Sequence, residues 1–152
     1  MELPDIIKSD IIKEEWNALW YDIAELIKDI SIKPILILSS SYQKGSEEEV
    51  QLEKMLHACK LEPEQYNILQ LQETQKIAWH KLHEQLKPSK ILLLGIHPMQ
   101  IGISALFQIN ELNHFSDCLI VPTLSLSELK KQESVRSQLW NNALKPMFIE
   151  SL

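Results

Sequence analysis

The chain has 152 residues, of which 45% are hydrophobic, and a formal net charge of -6. This length and apolar content suit one folded domain and argue against a disordered chain. No apolar run approaches the roughly 20 residues of a membrane-spanning helix, and the acidic balance argues against broad, sequence-independent attraction to DNA.

The N-terminal segment combines an isoleucine-rich extension with a helical pattern. Residues 1–5 show no basic segment followed by an apolar one, so we expect no signal peptide and a cytoplasmic protein. Residues 12–30 repeat apolar side chains every three or four positions, which predicts an amphipathic helix. We therefore assign residues 1–33 to an extension with this helix, and residues 34–152 to a single α/β domain.

Four later runs have the composition of strands. Residues 34–39 and 90–96 are continuous apolar runs, typical of strands buried on both faces of a parallel sheet. Residues 66–71 and 117–121 are two further candidates. Helix-like segments separate these runs, so the order along the chain predicts right-handed crossovers and a mostly parallel sheet.

Two capping boxes mark the starts of predicted helices. Ser46 with Glu49 opens a helix after the first strand, and Ser125 with Glu128 opens a last helix that we expect over residues 126–144. Both pairs have the spacing at which a serine hydroxyl can accept from the backbone N–H three residues later.

Between these two helices we expect a helix over residues 74–87, ended by Pro88, and a short helix near residues 98–108. Helices on both sides of the strands predict a three-layer αβα sandwich with a central, mostly parallel sheet of about four strands. Ligands of such sheets bind at the carboxyl ends of the strands. The loops to consider therefore follow Ser39, Leu71, Ile96 and Val121.

Three segments resemble the uracil-DNA glycosylase superfamily, in particular its iron–sulfur branch. Residues 52–61 resemble the family's helix after the first strand, residues 86–95 resemble its Lys-Pro segment followed by an apolar strand and Gly, and residues 136–140 resemble its closing helix. The resemblance covers residues 34–145. It implies a glycosylase-like fold with a pocket for a flipped base.

The C-terminal segment is also similar to the psi-subunit family of the bacterial DNA polymerase III clamp loader. Residues 126–129, Leu-Ser-Glu-Leu, match that family's Leu-Thr-Asp-Leu, and residues 135–140 match its Ala-Arg-x-x-Leu-Trp at the same spacing. This resemblance implies a non-catalytic interaction subunit of DNA replication. In that family the N-terminal segment docks onto the clamp-loader ATPase subunit, and the globular part binds a second small subunit.

The positions that would carry glycosylase catalysis hold other residue types. Residues 39–45 replace the family's Gly-rich motif and contain no Asp, Glu or Asn, and residues 121–128 lack the His of the last motif. The chain has two cysteines, whereas a cluster of the iron–sulfur branch needs four. We therefore predict a protein that is not an enzyme and uses no cofactor.

With the catalytic residue types missing, the resemblance implies a vestigial base pocket at the carboxyl edge of the sheet. We expect it to be lined by Ser40, Ser41, Tyr42, His97 and Thr123. If the pocket has a catalytic activity, His97 is the best candidate to carry it, because it follows a strand and histidine side chains in general can exchange protons near neutral pH. A plain loop histidine at a helix start is the alternative.

Metal binding is not expected from the sequence. His80 and His83 lie three apart on a predicted helix, a spacing that can bind a metal, but no third ligand is evident and surface placement is the simpler interpretation. Cys59 and Cys118 are predicted to be buried thiols rather than a disulfide or metal ligands.

Two functions follow. The first is a protein-interaction subunit whose extension docks onto the clamp-loader ATPase subunit, or another replication protein, through Ile6, Ile7, Ile11 and Ile12; the same segment could instead pack on its own sheet. The alternative is a catalytically divergent glycosylase-like repair or nucleic-acid-binding protein. Direct nucleic-acid binding is expected to be weak or absent, since residues 47–49 are glutamates that would repel phosphate, and no membrane partner is expected.

Overall fold

Five strands form one sheet in the computed structural model, which describes residues 30–72 and 77–150. The strands are β1 (Ile35–Ser40), β2 (Tyr66–Leu71), β3 (Lys90–Leu94), β4 (Asn113–Phe115) and β5 (Cys118–Thr123). Their order is β2-β1-β3-β5-β4, with β4 antiparallel to β5 and the other pairs parallel. The predicted mostly parallel sheet is confirmed. The expected four strands omitted β4, because its three residues contain no apolar run.

The helical elements are α1 (Glu47–Ala58), α2 (Trp79–Leu86), α3 (Leu126–Lys131), α4 (Glu133–Leu139), a wide π-type segment (Trp140–Glu150) and short 3-10 turns at Pro63–Gln65 and Pro98–Ile101. Both predicted capping serines are confirmed. The Ser46 hydroxyl accepts from the Glu49 N–H at 3.3 Å, and the Ser125 hydroxyl accepts from the Glu128 N–H at 3.4 Å. These bonds satisfy N–H groups that a helix start leaves unpaired.

Helix α2 begins later than the sequence predicts. Ala78 has an extended backbone, and the Ile77 N–H donates to the Gln100 carbonyl at 3.0 Å instead of entering a helix. Residues 73–76 lie outside the described residues. The predicted end is confirmed, because Lys87 adopts a left-handed conformation (φ 47°) directly before Pro88.

The prediction of a short helix near residues 98–108 is wrong. Only the turn Pro98–Ile101 is helical, and it stops at Gly102, whose φ of 76° is left-handed. The chain then runs as an irregular loop to Asn110, also at positive φ (63°). This loop of residues 102–112 lies beside the carboxyl end of β5.

The single helix predicted over residues 126–144 is broken. Gln132 leaves the helical region at φ -124°, ψ 88°, which separates α3 from α4. Arg136 stabilises the break, since its Nη1 donates to the Leu129 carbonyl at 3.1 Å and to the Lys130 carbonyl at 2.7 Å. In this region Leu126, Leu129 and Leu139 are buried, whereas Trp140 is half-buried.

Apolar side chains of β1 alternate between two buried faces of the sheet. Leu36 and Leu38 join a core cluster that includes Leu82 and Leu86 of α2. Ile35 joins a second cluster together with the inner side chains of α1, α3, α4 and the π-type segment. Helices therefore cover both faces, and the ends of the strands are left as the places where loops can form a site.

Residues 30–33, assigned to the extension from the sequence, contact the domain. The Ser31 carbonyl accepts from the Asn67 side chain at 2.9 Å, and Lys33 Nζ donates to the Pro63 carbonyl at 2.9 Å. The rest of the predicted extension and most of its amphipathic helix, residues 1–29, lie outside the described residues. Among the described helices, none has the length and apolarity needed to cross a membrane.

Candidate functional site

Two cavities open at the carboxyl edge of the parallel strands. The first, the serine cavity, lies between the end of β1 and the starts of α1 and α3 and has a volume of about 340 Å³. Its lining is mostly polar and consists of Ser40, Ser41, Tyr42, Gln43, Ser46, Glu48, Leu126 and Ser127. It is a place for hydrogen bonding rather than for apolar contact.

The second cavity, the apolar groove, has the same volume of about 340 Å³ and lies between the end of β3, the end of β5 and the loop of residues 102–112. Most of its lining is apolar: Gly95, Ile96, His97, Pro98, Ala105, Leu106, Phe107, Ile109, Pro122, Thr123, Leu124, Ser125 and Glu128. One wall of the groove is therefore the loop of residues 102–112, part of which was expected to be helical.

Gly95 lies where the two cavities meet. It has a left-handed φ of 72°, and a Cβ at this position would lie 2.8 Å from Ser125 Cβ and 3.0 Å from Ser40 Oγ. Only a residue without a side chain fits such a close approach. The predicted pocket residues are therefore all at this edge but in two cavities: Ser40, Ser41 and Tyr42 in the serine cavity, His97 and Thr123 in the apolar groove.

Two hydroxyl groups of the serine cavity, those of Ser46 and Ser127, take part in local structure. Ser46 caps α1, and the Ser127 hydroxyl lies 3.2 Å from the Ser125 hydroxyl that caps α3. Burial raises the pKa of Tyr42, and the nearby negative charge of Glu49 makes a smaller contribution in the same direction. The phenol therefore stays protonated at neutral pH. With Glu48 in the lining, this cavity suits neutral hydrogen-bonding groups better than anions.

Polar groups of the apolar groove are also engaged. His97 is exposed at the start of the Pro98–Ile101 turn, and its Nδ1 accepts from the Met99 N–H at 3.1 Å. The Thr123 hydroxyl donates to Asn110 Oδ1 at 2.6 Å in a buried bond. Thr123 therefore fixes the loop of residues 102–112 onto β5, a role that the sequence does not reveal because its partner is thirteen residues away.

The rim of the apolar groove exposes large apolar side chains. Leu106 is fully exposed and Ile109 is 55% exposed, and Met99, beside the groove, is 66% exposed. The exposure of these side chains is not predicted from the sequence, because residues 98–108 are expected to form a short helix. The available signal is Gly102, which interrupts that helical pattern.

A separate polar cluster lies at the opposite, amino edge of the sheet. His83 Nε2 is 3.1 Å from Asp117 Oδ1, which in turn is 3.5 Å from the sulfur of Cys118. His83 is thus paired with a carboxylate across the fold rather than with His80, which is exposed on the same helix. No local sequence pattern predicts Asp117 as the partner of His83, because the two residues lie 34 positions apart.

Both cysteines are buried free thiols, as the sequence predicts. Burial raises the pKa of Cys59 to about 12. Burial raises the pKa of Cys118 to about 12 as well, with a further contribution from the neighbouring Asp117 carboxylate. Neither thiol is therefore activated as a nucleophile at neutral pH.

The residues proposed for partner docking, Ile6, Ile7, Ile11 and Ile12, lie outside the described residues. In comparisons with known proteins, no family model matches this chain, and no curated protein matches it significantly.

Proposed function

We propose that this chain is a non-catalytic, protein-binding subunit similar to the psi subunits of bacterial clamp loaders, built on a three-layer, glycosylase-like sandwich. The observation that carries the proposal is the apolar rim formed by Leu106 and Ile109 at the carboxyl edge of the sheet. Exposed apolar side chains grouped around a groove mark surfaces that bind partners.

The local hydrogen bonds of His97 and Thr123 support a binding role over catalysis. A general base needs a free lone pair within reach of substrate. His97 instead uses Nδ1 to accept a backbone N–H, and Thr123 donates to Asn110. Side chains held in this way build the walls of a groove and leave its apolar surface as the feature available to a partner.

Charge at the edge supports a protein partner over nucleic acid. Glu47, Glu48 and Glu49 form the first turn of α1 beside the serine cavity. Glu47 pairs with Lys130 of α3, so one of the nearby cations is already neutralised. A phosphate backbone would meet net negative charge here, and binding to nucleic acid depends on the opposite sign.

In this proposal two separate surfaces of the chain bind two different partners. By the resemblance, the extension with Ile6, Ile7, Ile11 and Ile12 docks onto the clamp-loader ATPase subunit, and the globular domain binds a second small subunit. The apolar groove is the surface of the described domain that suits this second contact, because it combines concave shape with exposed apolar side chains.

The test uses purified clamp-loader ATPase subunit and second small subunit from the source organism, with the full-length chain. The quadruple variant I6S/I7S/I11S/I12S should weaken binding of the ATPase subunit by more than tenfold and leave the small subunit bound. The double variant L106S/I109S should do the reverse. If the full-length chain binds neither subunit at micromolar concentration, the proposal is wrong.

A further inference from the structure

His83, Asp117 and Cys118 bring three different metal-binding side chains to one point at the amino edge of the sheet. One ligand atom from each residue lies within 4.8 Å of the other two. The residues come from α2, from the β4–β5 turn and from the first position of β5. The turn is held by Ser116 at a left-handed φ of 57°.

We propose that this cluster binds a zinc-class divalent cation through His83 Nε2, Asp117 Oδ1 and Cys118 Sγ, with water as the fourth ligand. In a tetrahedral zinc site with bonds of about 2.0 to 2.3 Å, neighbouring ligand atoms lie about 3.3 to 3.6 Å apart. The observed separations are 3.1 Å between His83 and Asp117 and 3.5 Å between Asp117 and Cys118. The His83 nitrogen and the Cys118 sulfur lie within 4.8 Å of each other, and side-chain rotations that draw them together would close the site.

The ligand chemistry selects the class of cation. A sulfur and an imidazole nitrogen favour zinc or cobalt, whereas magnesium and calcium prefer oxygen ligands alone. The side chain of Asp117 is 73% exposed and that of His83 is 32% exposed, so a cation can enter from solvent and keep one water. Cys118, in contrast, is buried and anchors the site in the core.

Aromatic packing orients the histidine toward this point. The His83 ring lies against Trp79, one helical turn earlier, with ring centroids 5.4 Å apart. Trp79 packs edge-on against Phe115 of β4 at 5.9 Å. The hairpin that carries Asp117 and Cys118 thus also sets the orientation of His83, which reduces the ordering that cation binding requires.

Binding exchanges one set of interactions for another. Without a cation, the Cys118 thiol donates to the Pro88 carbonyl at 3.1 Å. A cation takes the place of the thiol proton, which passes to solvent, and this hydrogen bond is lost. The new bonds tie α2 to the β4–β5 hairpin, so the folded state should become more stable as free cation increases.

Cobalt titration of the full-length chain tests the site, because a thiolate bound to Co²⁺ gives a charge-transfer band in the near ultraviolet. We expect one Co²⁺ per chain with this band and displacement by Zn²⁺. The band should be lost in C118S, and H83Q or D117N should weaken binding by at least about tenfold. The matched controls H80Q and C59S, which change a histidine of the same helix and the other cysteine, should bind as the unmodified chain does.

Two results would overturn the proposal. One is Co²⁺ binding by the unmodified chain without a thiolate band, and the other is equal loss of affinity in H83Q and H80Q, which would indicate scattered surface histidines. If C118S does not fold, as judged by circular dichroism, the Co²⁺ affinity of D117N tests the proposal instead. Asp117 is exposed, and asparagine keeps the shape of its side chain, so this variant should fold.

Discussion

Gly95 and Ser125 approach each other so closely that a Cβ on Gly95 would lie 2.8 Å from Ser125 Cβ. The contact joins the end of β3 to the cap of α3 and separates the serine cavity from the apolar groove. Ser40 closes the same contact from β1, with its Oγ 3.0 Å from the position of that Cβ. Three elements of the sheet edge therefore meet around one missing side chain.

Gly95→Ala should destabilise the domain more than Gly45→Ala. Both glycines have left-handed φ values, 72° and 79°, so each alanine carries a conformational cost of about 1 kcal/mol. A Cβ at Gly45 meets no atom within 4 Å, whereas one at Gly95 overlaps Ser125 and adds roughly 1 to 3 kcal/mol. Chemical denaturation measures both variants. Equal losses would mean that the contact with Ser125 relaxes without cost.

Thr123→Val should lower the free energy of unfolding by about 1 to 3 kcal/mol, since it leaves the buried Asn110 Oδ1 without its donor. Thr123→Ser keeps the hydroxyl and should cost less. Hydrogen exchange in the loop of residues 102–112 should rise in the valine variant, because the bond holds this loop onto β5. Equal destabilisation by serine and valine would assign the effect to the lost methyl packing instead.

Cys59 should make the native state less stable at high pH. Its native pKa is raised by burial from 9.0 to about 12, so above pH 9 the unfolded thiol ionises while the native thiol stays protonated. Stability from this group is therefore full below pH 9 and falls between pH 9 and 12, by up to about 1.4 kcal/mol per pH unit. Unfolding of C59S should show a correspondingly shallower decline with pH. Parallel curves for the two proteins would contradict this prediction.

The alternative of a divergent glycosylase predicts base excision. We expect none: incubation with DNA containing uracil, xanthine or hypoxanthine should produce no abasic sites, and His97→Gln should behave in the same way. His97 holds the Met99 N–H through Nδ1, which makes it part of a turn. If the unmodified chain produced abasic sites and the His97→Gln variant did not, a glycosylase activity that depends on His97 in the apolar groove would be established instead.

Strand positions were predictable from local composition, because buried parallel strands require continuous apolar runs and the edge strand β2 is apolar at most of its positions. Residues 66–71 were predicted to form a strand, and β2 has the same bounds; the expected first strand, residues 34–39, differs from Ile35–Ser40 by one residue at each end. The cap positions Ser46 and Ser125 were predictable for a similar reason. In each cap the serine hydroxyl accepts from the backbone N–H three residues later, so both partners lie within four consecutive residues.

Helix continuity was less predictable, since apolar periodicity does not report a break. Residues 126–129 and 135–144 carry apolar side chains at helical spacing on either side of a polar stretch, residues 130–134, in which Gln132 interrupts the helix. Arg136 supplies the donors for the exposed carbonyls. The short β4 was missed because its pairing with β5, not its own composition, makes it a strand.

The sequence by itself determined the α/β class, the edge of the sheet where predicted pocket residues gather, and the burial of both cysteines. These follow from local composition and from the rule that parallel strands end together. Only the tertiary structure decided that Gly95 and Ser125 divide this edge into two cavities, and that His83 meets Asp117 and Cys118 rather than His80. Such contacts join residues about thirty positions apart in the chain, and their distances depend on how helices and strands pack, which no local pattern encodes.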